Sequence, residues 1–122
     1  MSNNGKTFFD YPDVVTAAPD QTKVEYEDAK IRVVRLTVAA GAAVPMHRHP
    51  SRVDVMLTDV NARTVRPDGS ERTSHSKAGE AGYGNPVVHE GHNIGDATWE
   101  MIEVEFKDRT PLGFDVPEPQ GL

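Results

Sequence analysis

Turn-forming residues interrupt this chain at such short intervals that no long helix fits between them. Pro12, Pro19, Gly41, Pro45, Pro50, the run Pro67-Asp68-Gly69-Ser70 and the glycine-rich stretch from Lys77 to Pro86 divide it into short segments. Several of these segments alternate apolar with polar residues, the period-two signature of strands. Short strands separated by frequent turns imply an all-β sandwich or barrel. At 122 residues the chain makes one domain, large enough to bury a core without disulfide staples.

The first clear strand is Ile31–Val38, apolar in part on both faces and ending at Gly41. Residues 44–49 form a second, which Pro45 and Pro50 restrict to an edge-like piece. Residues 53–57 follow, then 62–66, the hairpin turn at Pro67-Asp68-Gly69-Ser70 and a return over 71–76. The glycine-rich stretch reads as a bend, and residues 87–89 and 98–107 as the last strands, with Asn93-Ile94-Gly95-Asp96 turning between them. In the last strand Ile102, Val104 and Phe106 share one face, a half-buried pattern. Residues 1–22 are expected to be a lead-in arm, 23–107 the barrel, and 108–122, with Pro111, Pro117 and Pro119, a tail crossing the surface or a partner subunit.

Candidate chemistry concentrates in histidines. His47 and His49, two apart on a strand, point to one face, and a third histidine from a distant strand would close a metal site. His89 and His92 are the candidates for it; three residues apart, they lie on opposite faces of a strand. The chain has no cysteine, so a metal must be held by imidazole and carboxylate, a donor set suited to Fe, Zn, Ni, Cu or Mn. His75, among Ser74, Ser76 and Lys77, reads as a solvated surface residue.

The net charge of −6 and the scattered arginines argue against a nucleic-acid surface. No apolar run approaches the ~20 residues that span a bilayer, and the N-terminus leads into no signal-peptide core, so a cytoplasmic protein is expected. Serine or cysteine nucleophile motifs are absent.

At two places these residues resemble a known pattern. Gly41, five residues and His47-Arg48-His49 resemble the first half of the cupin motif. Gly79 through Pro86 to His89, three residues and Asn93 resemble the second. Ala18-Pro19-Asp20, Ile31-Arg32-Val33 and the ending Val104-Glu105-Phe106-Lys107 extend the resemblance, toward small single-domain conserved-barrel (cupin 2-like) proteins, over about residues 14–107. It implies a double-stranded β-helix, or jelly roll, with a divalent transition metal at the barrel mouth on His47, His49 and His89, the last singled out over His92 by its spacing to Asn93. It also implies a glutamate between the motif halves, and there the chain departs. Four residues on from His49 stands Asp54, a shorter carboxylate; aligned instead on the turn Leu57-Thr58-Asp59, the position falls on Arg52. Three histidines plus Asp54, and three histidines alone, are both open. The family often dimerises, and Val53, Val55 and Leu57 form an apolar face for a homodimer or for the opposing sheet.

Three functions are compatible with such a site. One is a metal-dependent enzyme on a small organic substrate, in the manner of a non-haem iron dioxygenase. A second is an isomerase, lyase or hydrolase with Asp54 or Glu103 as general base. The third is a non-catalytic small-molecule-binding barrel. Arg52, Met56, Trp99 and Met101 are the candidate pocket residues, with Arg35, Arg63 and Arg66 as further candidates for a substrate carboxylate. The substrate itself is not legible.

Overall fold

A computed structural model describes residues 5–107. Among them are one 3-10 turn at Phe8–Asp10, one short helix α1 (Val14–Ala17) and nine strands. The strands are β1 (Thr22–Glu27), β2 (Ile31–Val38), β3 (Ala43–His49), β4 (Arg52–Met56), β5 (Val60–Val65), β6 (Glu71–Ser76), β7 (Ala81–Gly84), β8 (Val87–Asn93) and β9 (Trp99–Phe106). They form two antiparallel sheets, ordered β1-β2-β9-β4-β7 and β3-β8-β5-β6. Only β1–β2 and β5–β6 join neighbours in sequence as hairpins; every other connection carries the chain from one sheet to the other. That alternation is a jelly roll, the architecture expected.

β1 and β7 went unread in the sequence, and for different reasons. β1 is exposed along nearly its whole length, so its side chains show no burial period. β7, Ala-Gly-Tyr-Gly, is a strand by pairing with β4 rather than by composition.

The core lies between the sheets at one end of the barrel. Val34, Leu36 and Val38 of β2, Val44 of β3, Val60 and Ala62 of β5 and Trp99 of β9 pack there, with Met56 and Met101 against them. A fully buried aliphatic side chain contributes about 1.5–3 kcal/mol. The lead-in adds to this cluster through Val14, wholly inaccessible, and Ala18. This part of the arm therefore belongs to the packed core. Asp13 caps α1 by accepting the Val15 N–H (3.3 Å) and the Thr16 hydroxyl (2.5 Å). Phe8 and Tyr11 pack with Val88 and Met46 in a second cluster.

The lead-in also solves an edge problem. β3 ends the four-stranded sheet, and an open edge exposes unpaired backbone groups. The Arg48 N–H donates to the Pro12 carbonyl at 2.8 Å, the Arg48 guanidinium donates to the Tyr11 carbonyl, and Gln21 donates to the Ala43 carbonyl at 3.2 Å. The strand carrying two of the candidate histidines is thus held from both sides.

The end of β8 is tied to the turn before β3. Gly41, at φ 78°, takes a left-handed conformation that other residues resist, and its N–H donates to the Asn93 carbonyl at 3.0 Å. The buried Asn93 side chain donates to the carbonyls of Val38 and Ala97, both at 2.9 Å, and accepts from the Gly95 N–H at 2.9 Å. Every polar atom of that amide is occupied with structural bonds, so Asn93 braces the barrel.

Candidate metal centre

A bulge makes the site possible. Val44 pairs with Gly91 and His47 with His89, leaving Pro45 and Met46 opposite a single residue of β8. Val44 and His47 are three apart, yet both point inward: Val44 into the apolar core, His47 and then His49 into the barrel above it. Without the extra residue, one of these two requirements would fail. Proline in a strand is tolerated at an edge or bulge, and Pro45 sits at both.

The three histidines converge. Their ring centroids stand 4.5 Å (His47–His49), 5.0 Å (His47–His89) and 5.1 Å (His49–His89) apart. His47 and His49 are each 2% exposed, while His89 is partly open, so the cluster reaches solvent on the β8 side. Burial holds the His47 imidazole down to about pKa 4. It holds His49 and His89 well below the usual range as well, helped by the positive charge of Arg52. All three are neutral at pH 7, the protonation state a metal requires.

Their tautomers follow from their partners. Pro45 O, 2.5 Å from His47 Nδ1, can only accept, so Nδ1 carries the proton and Nε2 presents its lone pair. His49 Nε2 lies 2.8 Å from that lone pair and donates to it. Two nitrogens bound to one ion at ~2.0–2.1 Å stand roughly 3 Å apart, which the observed separation approaches. Metal entry would move the His49 proton to Nδ1, a buried atom with no hydrogen-bond partner that lies 3.8 Å from Glu105 Oε2. Glu105 Oε1 in turn accepts from Arg32 Nε at 2.7 Å, and Arg32 Nη2 reaches Asp13 at 2.9 Å. Glu105 thus stands behind His49 beyond hydrogen-bond distance, on the side where a carboxylate orients a ligating imidazole once it is bonded to it. The residues fit a divalent metal.

β9 is the surprise. Its inward face is Trp99, Met101, Glu103 and Glu105, and the face carrying Ile102, Val104 and Phe106 looks outward, half-buried. Cross-strand pairing sets Asp54 beside Glu103 and Arg52 beside Glu105. Burial, followed by the nearby Asp54 charge, pushes the Glu103 carboxyl well above its ordinary range. Burial likewise raises Asp54 and Glu105, against the pull of Arg52 and Arg32. Glu103 Oε2 lies 3.7 Å from His49 Nε2. Trp99, Met101 and Glu103 of this face were already candidates from the sequence, for the pocket and as general base; Glu105 was not, although it continues their parity along the same strand.

The other expected residues are placed as follows. Asp54 faces inward but is ion-paired with Arg52 at 3.4 Å. Among the described residues, the donor groups lying mutually within 4.8 Å are His47, His49 and His89, and His49, Glu103 and Glu105; Asp54 is in neither. Arg52 is buried over Gly84 and donates to the Asn85 carbonyl at 2.9 Å. Met56, Trp99 and Met101 belong to the apolar core beneath the histidines. His92 bonds Glu90 at 2.7 Å, both half-buried, and exposed His75 meets Asn61 at 2.6 Å. Arg35 and Arg63 are engaged by Glu25 (2.7 Å) and Glu71 (3.2 Å). No described helix is long and apolar enough to cross a membrane.

No family model matches the sequence, and no curated protein does. Solved structures do. A cupin domain from Bordetella pertussis is 24% identical, with a TM-score of 0.66 over 70% of this chain and 91% of that one. An RmlC-like cupin family protein with a double-stranded β-helix fold from Methanocaldococcus jannaschii is 13% identical, at 0.57 over 70% and 77%. A Cupin 2 conserved barrel domain protein from Salinispora arenicola is 24% identical, at 0.51 over 68% and 71%. At these identities the likeness establishes the fold.

Proposed function

We propose, from the premise that this chain has the fold of a small single-domain cupin, that it binds a divalent transition metal through His47, His49 and His89 and acts on a small organic molecule there. The observation carrying this reading is the convergence of three neutral imidazoles, two of them buried and one with its ring nitrogen oriented by the Pro45 carbonyl. Purely structural zinc is normally closed by four protein ligands, whereas catalytic sites keep a position open. The partial exposure of His89 supports access from solvent.

A dioxygenase-like reaction is the favoured form. A bound ion would supply Lewis acidity toward an oxygen-bearing group and, as iron, redox capacity. The chain supplies the rest: Pro45 orients the His47 imidazole, Glu105 stands 3.8 Å behind His49, and Met56, Trp99 and Met101 contribute apolar surface from the core. Arg52 is the buried cation on hand for an anionic group of the substrate. The second reading, a hydrolase, lyase or isomerase, is favoured by the carboxyls of Glu103 and Asp54 beside the cluster.

Homodimerisation belongs to the same proposal. Val33, Val104, Val53 and Tyr83 align across four strands on the outward face of the five-stranded sheet, flanked by Val55 and Ile102. These residues are half-buried, and Leu57 beside them is exposed. The setting that fits this reading is the cytoplasm.

Elemental analysis of tag-free protein beside His47→Ala and His89→Ala tests the metal. One equivalent in the parent, lost in both variants, is expected; none in the reconstituted parent would overturn the reading. Oxygen consumption with ferrous iron that ceases on zinc substitution distinguishes the oxygenase from the zinc-tolerant alternatives.

A further inference from the structure

We propose that Glu103, supplied by the last strand, is the carboxylate ligand of this site, and that Asp54, at the motif position, is not. The inference rests on the metal-binding reading and adds to it the identity of the fourth donor.

The sequence places Asp54 where a glutamate is expected, and its strand does direct it inward. The fold then sets a competitor directly beside it, because Asp54 and Glu103 are cross-strand partners on the same face of β4 and β9. Directly opposed side chains share one local environment, and length and partners decide which reaches a given point. Glu103 is one methylene longer. Its Oε2 stands 3.7 Å from His49 Nε2, close to the separation of two donors on a common ion. Asp54 is drawn instead toward Arg52, at 3.4 Å.

The ionic contacts point the same way. Glu103 is 2% exposed, and its Oε1 has no hydrogen-bond partner; Asp54 Oδ1 lacks one as well, but Asp54 has the Arg52 cation beside its other oxygen, whereas the ion-pair contact of Glu103 is with His49 itself. A buried carboxyl oxygen left unsatisfied costs free energy, and such atoms in a folded protein call for an explanation. Glu105, two residues on and equally buried, cannot serve as readily: Arg32 holds its Oε1, and its Oε2 faces His49 Nδ1, the ring nitrogen away from the cluster. The two glutamates thus divide the work on His49, Glu103 at the nitrogen that faces the other histidines and Glu105 at the one behind. Arg52, which stands where one alignment would put the motif glutamate, pairs with the displaced Asp54.

The test uses metal-free full-length protein, Co(II) as the probe, and the variants Glu103→Gln, Glu103→Asp and Asp54→Asn. Dialysis gives stoichiometry and affinity, and the visible Co(II) spectrum reports the donor set independently of any activity. Loss of an outer-shell partner alone typically weakens a site roughly 10–100-fold. Glu103→Gln is expected to lose at least that much and to change the spectrum, with Glu103→Asp between it and the parent and Asp54→Asn within roughly threefold of the parent. Gln is isosteric with the carboxyl it replaces, and Glu103→Asp keeps the acid should Gln disturb folding. Parent-like affinity and spectrum in Glu103→Gln, or the loss falling on Asp54→Asn, would overturn this assignment while leaving the three-histidine site standing. A parent that takes up no Co(II) would overturn both.

Discussion

Replacing Gly84 by alanine isolates one contact between the site and its scaffold. Gly84 on β7 lies opposite Arg52 on β4, and a Cβ there would sit 2.5 Å from Arg52 Cζ and Nη1 and 2.9 Å from Nη2. All three nearest atoms belong to the guanidinium, so the strand accepts glycine because the arginine lies across it. Gly84 is not among the residues with positive φ, so its backbone tolerates a side chain, and alanine in a strand interior would otherwise gain about 0.5–1 kcal/mol. The guanidinium has nowhere cheap to go. It is 8% exposed and donates to the Asn85 carbonyl at 2.9 Å, a charge-assisted bond worth about 1.5–3 kcal/mol. Overpacking a filled interior costs about 1–3 kcal/mol. Gly84→Ala should therefore destabilise the metal-free protein by roughly 1–3 kcal/mol in urea unfolding at pH 7. In an Arg52→Ala background the same substitution should be neutral or stabilising by up to about 1 kcal/mol, a coupling of roughly 2 kcal/mol. Equal cost in both backgrounds would refute the reasoning and place the penalty in the backbone.

Three further outcomes are expected. Trp99→Phe should cost less than about 1.5 kcal/mol by denaturant unfolding, because the buried indole N–H has no partner to lose; a loss above 3 kcal/mol would mean that the ring shape itself is required. His47, at about pKa 4 when folded and near 6.5 when unfolded, lets the unfolded chain bind protons that the folded one refuses, so stability falls as pH drops through this window. That amounts to roughly 2 kcal/mol between pH 7 and pH 5, and His47→Gln should lose that much less than the parent over the same interval; identical pH profiles would show that His47 titrates normally. On the outward sheet face, Val53→Lys should convert a dimer to a monomer in sedimentation velocity, and a parent that sediments as a monomer would remove the homodimer proposal.

Much of this protein was legible in order of residues alone, because turns and strand parity are local properties. Pro67-Asp68-Gly69-Ser70 closes its hairpin through Asp68, which accepts from both the N–H and the hydroxyl of Ser70 at 2.8 and 2.6 Å. The motif spacing that singled out His47, His49 and His89 translates into convergence because inward parity on β3 and β8 is set residue by residue. Even the restriction of β3 to an edge followed from its prolines.

What tertiary structure decided is everything that depends on which face of a strand meets which neighbour. Ile102, Val104 and Phe106 read as a half-buried face of β9 and are one, but the barrel interior takes in Glu103 and Glu105 from the other face, because a polar interior is tolerable once imidazole and guanidinium partners are brought against it from β2, β3 and β4. The lead-in showed no period, and the partners of its described part, the β3 edge bonded to Pro12 and the core around Val14 and Ala18, lie far along the chain. Asp54 and Glu103 are 49 positions apart in the chain and side by side in the sheet, so their competition for one place beside the histidines exists only after β4 and β9 pair. Short-range patterns in the sequence determined most of the strands, the turns and the histidine set; the pairing of distant strands made β7 a strand and set Glu103 beside Asp54.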